Sequence, residues 1–457
     1  MVAKSEQSFY CKERRLLTFA GFLFVFSLFF YAWWDPSLLV ILISSILFNF
    51  TIGKFVFNNK RLTIFAITMN LLALIYYKYT NFLTLLLTDV GILSSPTSII
   101  LPLAISFFTF QQVAYIVDSY KGVVKEHNFL NYCLFVTFFP QLIAGPIVHH
   151  KEMMPQFNKG VYFSTDGVLF GICLFLIGLF KKVILADGIA QYANPVFDAA
   201  DSGALLTSLE AWGGALAYTF QLYFDFSGYA DMAIGIAACF GITLPDNFNS
   251  PYKSFSISEF WRKWHITLGN FLRDYLYIPL GGNRCAKNRQ IFNLFMTMFL
   301  GGIWHGAGWN FMIWGALHGM YLGVNHSWKS SSLRNKINFH IAYKLLAWMI
   351  TFIAVVIAWV FFRSETIEGA IAVLSAMFQI NNVHSESQTF NVHAWLWLMS
   401  LALIALFLPN SKKIAGGISS FKGRKANIAF GSVIVFYALL TLISSTSEYN
   451  EFIYFNF

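Results

Sequence analysis

Charged residues are scarce in this chain. They make up 12% of its 457 residues, whereas 57% are hydrophobic and the mean hydropathy is +0.59. Soluble domains carry about 25% charged residues, so this composition excludes an ordinary soluble protein. Strand-like alternation is also missing, while long apolar runs are frequent. Because only helices and closed barrels span a bilayer, the sequence predicts an all-α polytopic membrane protein that forms one integral membrane domain over residues 1–457.

Several catalytic and metal-binding patterns are absent. There is no H-E-x-x-H, G-x-S-x-G, P-loop or G-x-G-x-x-G motif, and no histidine is followed by aspartate at the spacing H-x-x-x-x-D. These absences leave no stand-alone nucleophile. The best catalytic candidate is therefore a base that serves a substrate hydroxyl.

The cysteines lack paired spacing and mostly lie in or beside apolar segments. They are predicted to be small buried hydrophobic residues rather than a disulfide framework or a zinc site, and no metal is predicted. The positions are Cys11, Cys133, Cys173, Cys239 and Cys285.

The positive net charge of +9 does not indicate nucleic-acid binding, because no basic patch falls outside short loops. Basic residues in such loops orient membrane helices. The run KERR precedes the first apolar segment, no base follows that segment directly, and Lys54, Lys60 and Arg61 follow the second. This alternation predicts a cytoplasmic N-terminus.

Apolar segments of about 20 residues can cross a bilayer, and the sequence predicts about eleven spans. A shorter segment at 81–93 is predicted only to dip into the membrane, and 130–148 is predicted to be kinked or re-entrant because of its prolines. The remaining candidate segments are residues 16–34, 36–57, 62–79, 99–117, 168–185, 206–226, 229–242, 291–303, 309–324, 341–362, 367–380, 394–408 and 428–444.

Polar residues concentrate in residues 223–319, and polar clusters inside apolar surroundings mark candidate functional sites. This catalytic segment has three parts: a polar-spotted span at 223–242, an amphipathic stretch at 254–280, and the segment 301–319. The middle part is predicted to be one re-entrant or interfacial helix that a capping box, Ser256 with Glu259, opens.

Two histidines are the candidate catalytic residues. His305 lies in GGIWHGAGW, whose glycines let other backbone or a substrate come close. His265 lies in FWRKWHITL among aromatic residues. Histidine exchanges protons near neutral pH, but each could instead be a hydrogen-bonded structural histidine. His318 lies 13 residues after His305, about 140° away on a continuous helix, and is predicted to be structural. The adjacent pair His149 and His150 is a weak metal signal, because adjacent side chains point apart.

The charged residues around these histidines permit two interpretations. Arg262 lies on a helix that either meets lipid headgroups or faces the site. Asp225 or Asp231 is predicted to pair with a base from the stretch that carries Arg262 and Arg273, since such a pair would satisfy both charges.

The segments FFPQLIAGPIVHHKEMMPQF, YFDFSGYADMAIGIA, NFNSPYKSFSISEFWRKWHITLGNFLRDYLYIPLGGNR and GGIWHGAGWNFMIWGALHG resemble the membrane-bound O-acyltransferase superfamily. The resemblance is greatest to the bacterial branch that serves alginate and peptidoglycan O-acetylation. It implies a ring-like helical bundle with a central tunnel, with His305 as the essential histidine and His265 as the second polar position. Tunnel-lining or substrate-contacting roles are predicted for Trp304, Asp225, Arg262, Trp264 and Asp274.

The resemblance also implies a function. It predicts an O-acetyltransferase of the bacterial inner membrane that uses acetyl-CoA as donor, holds no permanently bound cofactor, and passes acetyl towards a cell-envelope polysaccharide, directly or through an extracytoplasmic SGNH-type partner. The acceptor stays open between alginate, peptidoglycan, cellulose and another glycan. Two other classes also stay open: a transporter or flippase with a His/Asp proton relay, and a non-catalytic membrane scaffold.

Overall fold

The computed structural model describes residues 18–33, 35–124, 127–159, 164–331, 341–379 and 390–421, and isolated positions between 428 and 453. Within these ranges the regular structure is helical, and no strand occurs in them, which confirms the predicted all-α class. The N-terminal segment 1–17 and most of the predicted span at 428–444 lie outside the described residues.

The described residues form two compact units. Unit 1 draws on residues 1–175 and 232–245, and unit 2 on residues 176–231 and 246–453. The prediction of one domain stays a prediction. The first helices are α1 Thr18–Ala32, α2 Leu38–Gly53, α3 Lys60–Asp89, α4 Ile105–Tyr120, α5 Phe129–Thr137, α6 Phe139–Leu142, α7 His150–Lys159 and α8 Thr165–Phe180, which continues through a π-helical turn, Lys181–Ala186, into α9 Asp187–Asp201. The others are α10 Ser208–Cys239, α11 Ile257–Trp261, α12 Ile266–Leu272, α13 Lys287–His305, α14 Trp309–Lys329, α15 Ile341–Arg363, α16 Ile367–Phe378, α17 Val392–Phe407 and α18 Ser411–Ser419.

Among the described residues, three helical stretches are long and apolar enough to cross a bilayer: α3, the continuous stretch Thr165–Asp201, and α15. The pair α17 and α18, bent by 68°, makes a fourth if it is one broken span. Helices α1, α2 and α16 are apolar but shorter. The predicted count of about eleven spans stays a prediction, because most other described helices are short or carry polar residues.

Two helices are longer than the sequence predicted. Helix α3 runs without interruption through the predicted break near residue 80, and within it the hydroxyls of Thr80, Thr84 and Thr88 each donate to the carbonyl four residues earlier. Helix α10 joins the segments 206–226 and 229–242. Its Gly228 does not end the helix but permits close packing, since a Cβ there would lie 2.7 Å from the Gly178 carbonyl oxygen.

Residues 254–280 are not one helix, so that prediction was wrong. The stretch divides into α11, α12 and a π-helical turn, Arg273–Tyr277. The capping box is confirmed: Ser256 Oγ accepts from the Glu259 N–H at 3.3 Å, and the Glu259 carboxylate accepts from the Phe255 N–H at 2.9 Å. Helix α11 ends at Trp261, and the left-handed backbone of His265 starts a new helix in another direction.

Helices α13 and α14 form a closely packed hairpin that positions His305. A Cβ on Gly302 would collide with the Phe311 carbonyl oxygen and lie 2.8 Å from Gly315 Cα, and a Cβ on Gly315 would lie 2.6 Å from the Met298 carbonyl oxygen. Only glycine permits this backbone approach. The hairpin therefore holds the end of α13, where His305 lies, in one place.

We expect Gly302→Ala to lower the free energy of unfolding by about 1–3 kcal/mol, the usual cost of overpacking. Gly301→Ala is the matched control, because its Cβ would meet only the side-chain Cδ1 of Leu272 at 3.3 Å. Both variants gain helix propensity equally, so the difference isolates the backbone collision. Thermal unfolding of the purified protein in detergent measures it, and equal midpoints would contradict the packing account.

Candidate active site

His305 is the last residue of α13 and is 2% exposed. Its Nδ1 lies 2.7 Å from the carbonyl oxygen of Gly301, one turn earlier. A carbonyl oxygen can only accept, so Nδ1 donates, and a neutral ring then carries its lone pair on Nε2. The backbone thus selects the tautomer in which Nε2 is the basic nitrogen.

His265 lies between α11 and α12 and is fully buried. Its backbone is left-handed, with φ 42° and ψ 54°, a conformation that costs a non-glycine residue roughly 1–3 kcal/mol. Asn247 stabilises it: its Oδ1 accepts from the Thr267 N–H and hydroxyl at 3.3 and 2.9 Å, and lies 3.0 Å from His265 Nδ1. Because a backbone N–H only donates, this atom is the amide oxygen, and His265 Nδ1 donates to it.

The two histidines influence each other electrostatically. His265 lies outside the spanning helices, at the junction of helices of five and seven residues. Burial lowers its pKa well below the ordinary histidine value, and His305 lowers that pKa further. The His265 ring is therefore neutral at physiological pH, and it lies close enough to His305 to be influenced by its charge.

A set of aromatic rings in contact runs from His305 to the residue before His265. The Trp314 ring lies 4.7 Å from the His305 ring and 5.8 Å from the Trp359 ring, and Trp359 lies 4.9 Å from Trp264, the residue before His265. Trp314, Trp359 and Trp264 are each at most 1% exposed. We call the rings of His305, Trp314, Trp359, Trp264 and His318 the aromatic cluster.

His318 belongs to this cluster more closely than the sequence predicted. The predicted 140° separation assumed a continuous helix, but α13 ends at His305 and α14 begins at Trp309. The Trp314 ring contacts the rings of both histidines, at 4.7 Å for His305 and 5.0 Å for His318. Trp261 Nε1 donates to His318 Nδ1 at 3.2 Å, so a neutral His318 carries its proton on Nε2.

Three nitrogens of the aromatic cluster are buried without a hydrogen bond to any part of the chain that the structure describes. They are Nε1 of Trp314, Nε1 of Trp359 and Nε2 of His318. All three are N–H donors, given the tautomer of His318. Buried donors without acceptors are costly, so these three N–H groups could serve an acceptor that the described chain does not supply.

The structure brings some predicted site residues together and leaves others apart. Trp304 is 5% exposed, and its ring lies 5.0 Å from that of His305. Arg262, by contrast, is exposed. Asp274 pairs with its neighbour Arg273 at 2.7 Å, with 32% of its side chain exposed. Trp264 and Trp304 thus accompany the histidines, whereas Arg262 and Asp274 face outward.

The predicted pairing of Asp225 or Asp231 with a base near Arg262 is wrong. Asp225 pairs with Lys182 at 3.0 Å, and Asp231 pairs with Lys181 at 2.7 Å. These lysines lie in the π-helical turn, more than 40 positions earlier in the chain. The sequence signal was the pair Lys181-Lys182, which the span prediction placed inside the segment 168–185 without a partner.

Asp225 takes part in a larger buried network. It is 1% exposed and accepts from the Ile453 N–H at 3.0 Å, while Lys182 also contacts Asp187 at 2.6 Å. Lys182 thus neutralises the carboxylates of Asp187 and Asp225, and the Ile453 N–H gives Asp225 a further hydrogen bond. The arrangement supports a structural role for Asp225, and its predicted contact with substrate stays a prediction.

The comparisons with known proteins concern the family of the chain. The model described as the membrane-bound O-acyltransferase family, MBOAT, matches residues 81–368, which include both histidines. The chain is 46% identical to the peptidoglycan O-acetyltransferase of Helicobacter pylori, covering 78% of this chain and 73% of that protein. It is 42% identical to the probable alginate O-acetylase of Pseudomonas aeruginosa, covering 78% and 69%. It is 32% identical to the teichoic acid D-alanyltransferase of Bacillus subtilis, covering 50% and 59%.

We expect Lys182→Met to destabilise the protein by about 3–5 kcal/mol, because it leaves a buried carboxylate uncompensated. The double variant Lys182→Met/Asp225→Asn should recover part of that loss. Arg273→Met, which breaks the more exposed pair with Asp274, should cost at most about 1 kcal/mol. Unfolding midpoints in detergent compare the three variants, and a Lys182→Met protein as stable as Arg273→Met would refute the role of the network.

Proposed function

The chain belongs to the membrane-bound O-acyltransferase family and is an acyltransferase, and we propose that it moves an acetyl group from acetyl-CoA towards a cell-envelope polysaccharide. The observation that carries this proposal is the orientation of His305, whose Nδ1 is held by the Gly301 carbonyl and whose Nε2 is left as the base. A buried, oriented base is what transfer to a hydroxyl requires.

In the proposed reaction, His305 Nε2 takes the proton of an acceptor hydroxyl while that oxygen bonds to the thioester carbonyl carbon. The carbon–sulfur bond then breaks, and His305 returns the proton to the departing thiolate. Proton transfer by a positioned side chain contributes about 10²–10⁴-fold in rate. The ring of Trp314, in contact with His305, helps to keep the imidazole in this orientation.

His265 has the role of positioning the acceptor. Its Nδ1 donates to Asn247, so its Nε2 can accept a hydrogen bond from a hydroxyl. In that tautomer the ring offers no second donor, so it is better suited to positioning the acceptor than to stabilising a developing oxyanion. The three buried N–H groups of Trp314, Trp359 and His318 supply donors of the kind an oxyanion needs.

The acceptor and setting are proposed from the relatives and from charge. The three relatives are named for acyl transfer to peptidoglycan, alginate and teichoic acid, all of them envelope polymers, which supports a polysaccharide acceptor outside the cytoplasm. We place the enzyme in a bacterial inner membrane with its N-terminus in the cytoplasm, as the basic residues before the first span favour. Delivery proceeds directly or through an SGNH-type partner.

We expect His305→Gln to reduce acetyl transfer by at least about 10²-fold, because glutamine keeps the polarity of the position but cannot serve as a base. The assay follows labelled acetyl from acetyl-CoA into ester on polysaccharide or partner, using the full chain in proteoliposomes. His326→Gln, a half-buried histidine in the last turn of α14, is the control and should retain activity.

Two results would oppose this proposal. Wild-type transfer by a correctly inserted His305→Gln protein would remove His305 from catalysis and favour a scaffold that only organises a soluble enzyme. Movement of solute by the wild-type protein without any ester formation would favour the transporter class instead.

A further inference from the structure

Unit 1 contains a second group of chemistry-bearing side chains. Asp118 lies near the end of α4, His149 precedes α7, and His150 is its first residue. One potential ligand atom from each lies within 4.8 Å of the others. Asp118 is 7% exposed and His150 is 4% exposed, so both are buried, whereas His149 is half-buried.

The distances in this group suit a shared cation better than direct hydrogen bonds. His150 Nδ1 lies 3.6 Å, and His149 Nδ1 3.9 Å, from Asp118 Oδ2. Hydrogen bonds between nitrogen and oxygen span about 2.7–3.2 Å. Two ligands on a tetrahedral ion with bonds of about 2.1 Å lie about 3.4 Å apart, so small ring rotations would bring these atoms to coordination distance.

His150 provides an independent observation. Both of its ring nitrogens are buried, and neither makes a hydrogen bond within the described ranges. A buried imidazole whose two nitrogens make no hydrogen bond is costly. A metal ion would bind the lone pair of the unprotonated nitrogen. The rings of Tyr115 and Phe135 lie edge-on at 6.0 and 6.4 Å, which gives the apolar surroundings common around metal sites.

The local backbone explains why two adjacent histidines can both contribute ligands to one site. Side chains one position apart diverge within a helix, and the sequence therefore favoured no metal here. However, His149 lies before α7, and only His150 is helical. The change of backbone conformation between them lets both rings approach the Asp118 carboxylate.

We propose that Asp118, His149 and His150 bind a divalent transition-metal ion of the zinc class. Two imidazoles and one carboxylate are a donor set that zinc and its neighbours accept, whereas magnesium and calcium prefer oxygen ligands alone. Three protein ligands leave a fourth position for water or another small ligand. The ion would join the end of α4 to the start of α7.

The test uses the full-length protein, purified in detergent with an affinity tag that contains no histidine and stripped of metal by a chelator. Titration with Co²⁺ should produce visible ligand-field absorption that saturates at about one ion per chain, and Zn²⁺ should displace it. X-ray absorption of the Zn²⁺-loaded protein should show nitrogen and oxygen ligands without sulfur. Weak, non-saturating binding by folded wild-type protein, or sulfur ligation, would overturn the proposal.

Variants locate the site. His150→Gln and Asp118→Asn should each weaken Co²⁺ binding by at least about 10-fold, since each removes a ligand. His127→Gln is the matched control, because this exposed histidine lies on the same unit and bonds Tyr115 rather than Asp118. Wild-type Co²⁺ affinity in His150→Gln would show that the ion binds elsewhere and would overturn the assignment. Loss of Co²⁺ binding in His127→Gln alone would overturn it as well.

Discussion

The hydrogen bond between His305 and the Gly301 carbonyl is the contact on which the candidate site depends. It holds the imidazole at the end of α13 with Nδ1 as donor, at 2.7 Å, and so makes Nε2 the base. The Gly301 carbonyl oxygen can accept this hydrogen bond in addition to its helical backbone bond because it has two lone pairs. The close approach of α13 and α14 at Gly302 and Gly315 keeps this helix end in place, so backbone packing determines the orientation of a single side chain.

The same requirement, that buried polar groups have partners, organises the rest of the described structure. His265 keeps its left-handed backbone because Asn247 binds both its ring and Thr267. The buried carboxylate of Asp225 and the half-buried carboxylate of Asp231 are balanced by two consecutive lysines. Where the chain does not meet the requirement, at the indole nitrogens of Trp314 and Trp359 and at the imidazole of His150, the proposals place a ligand from outside: a substrate in the first case and a metal ion in the second.

Local signals in the sequence were sufficient for part of this account. Apolar runs predicted the helical membrane class, and the glycines and aromatics around His305 and His265 selected them as candidates. The capping box at Ser256 was correct, because capping depends on residues a few positions apart. The partners of Asp225 and Asp231 were not predictable in this way, since Lys182 and Lys181 lie more than 40 positions away. The break at His265 was missed because no glycine marks it, and the environment rather than the residue stabilises its positive φ.

The central claim is the proposal that His305 acts as the base at the thioester of the acyl donor, with His265 beside it. An experimental structure of the His305→Gln protein with acetyl-CoA bound tests it most directly, because we expect this variant to bind the donor without consuming it. The account predicts that the thioester carbonyl carbon lies within about 6 Å of the side chain at position 305, room for one acceptor oxygen between them. A donor whose thioester lies remote from both His265 and position 305 would contradict it.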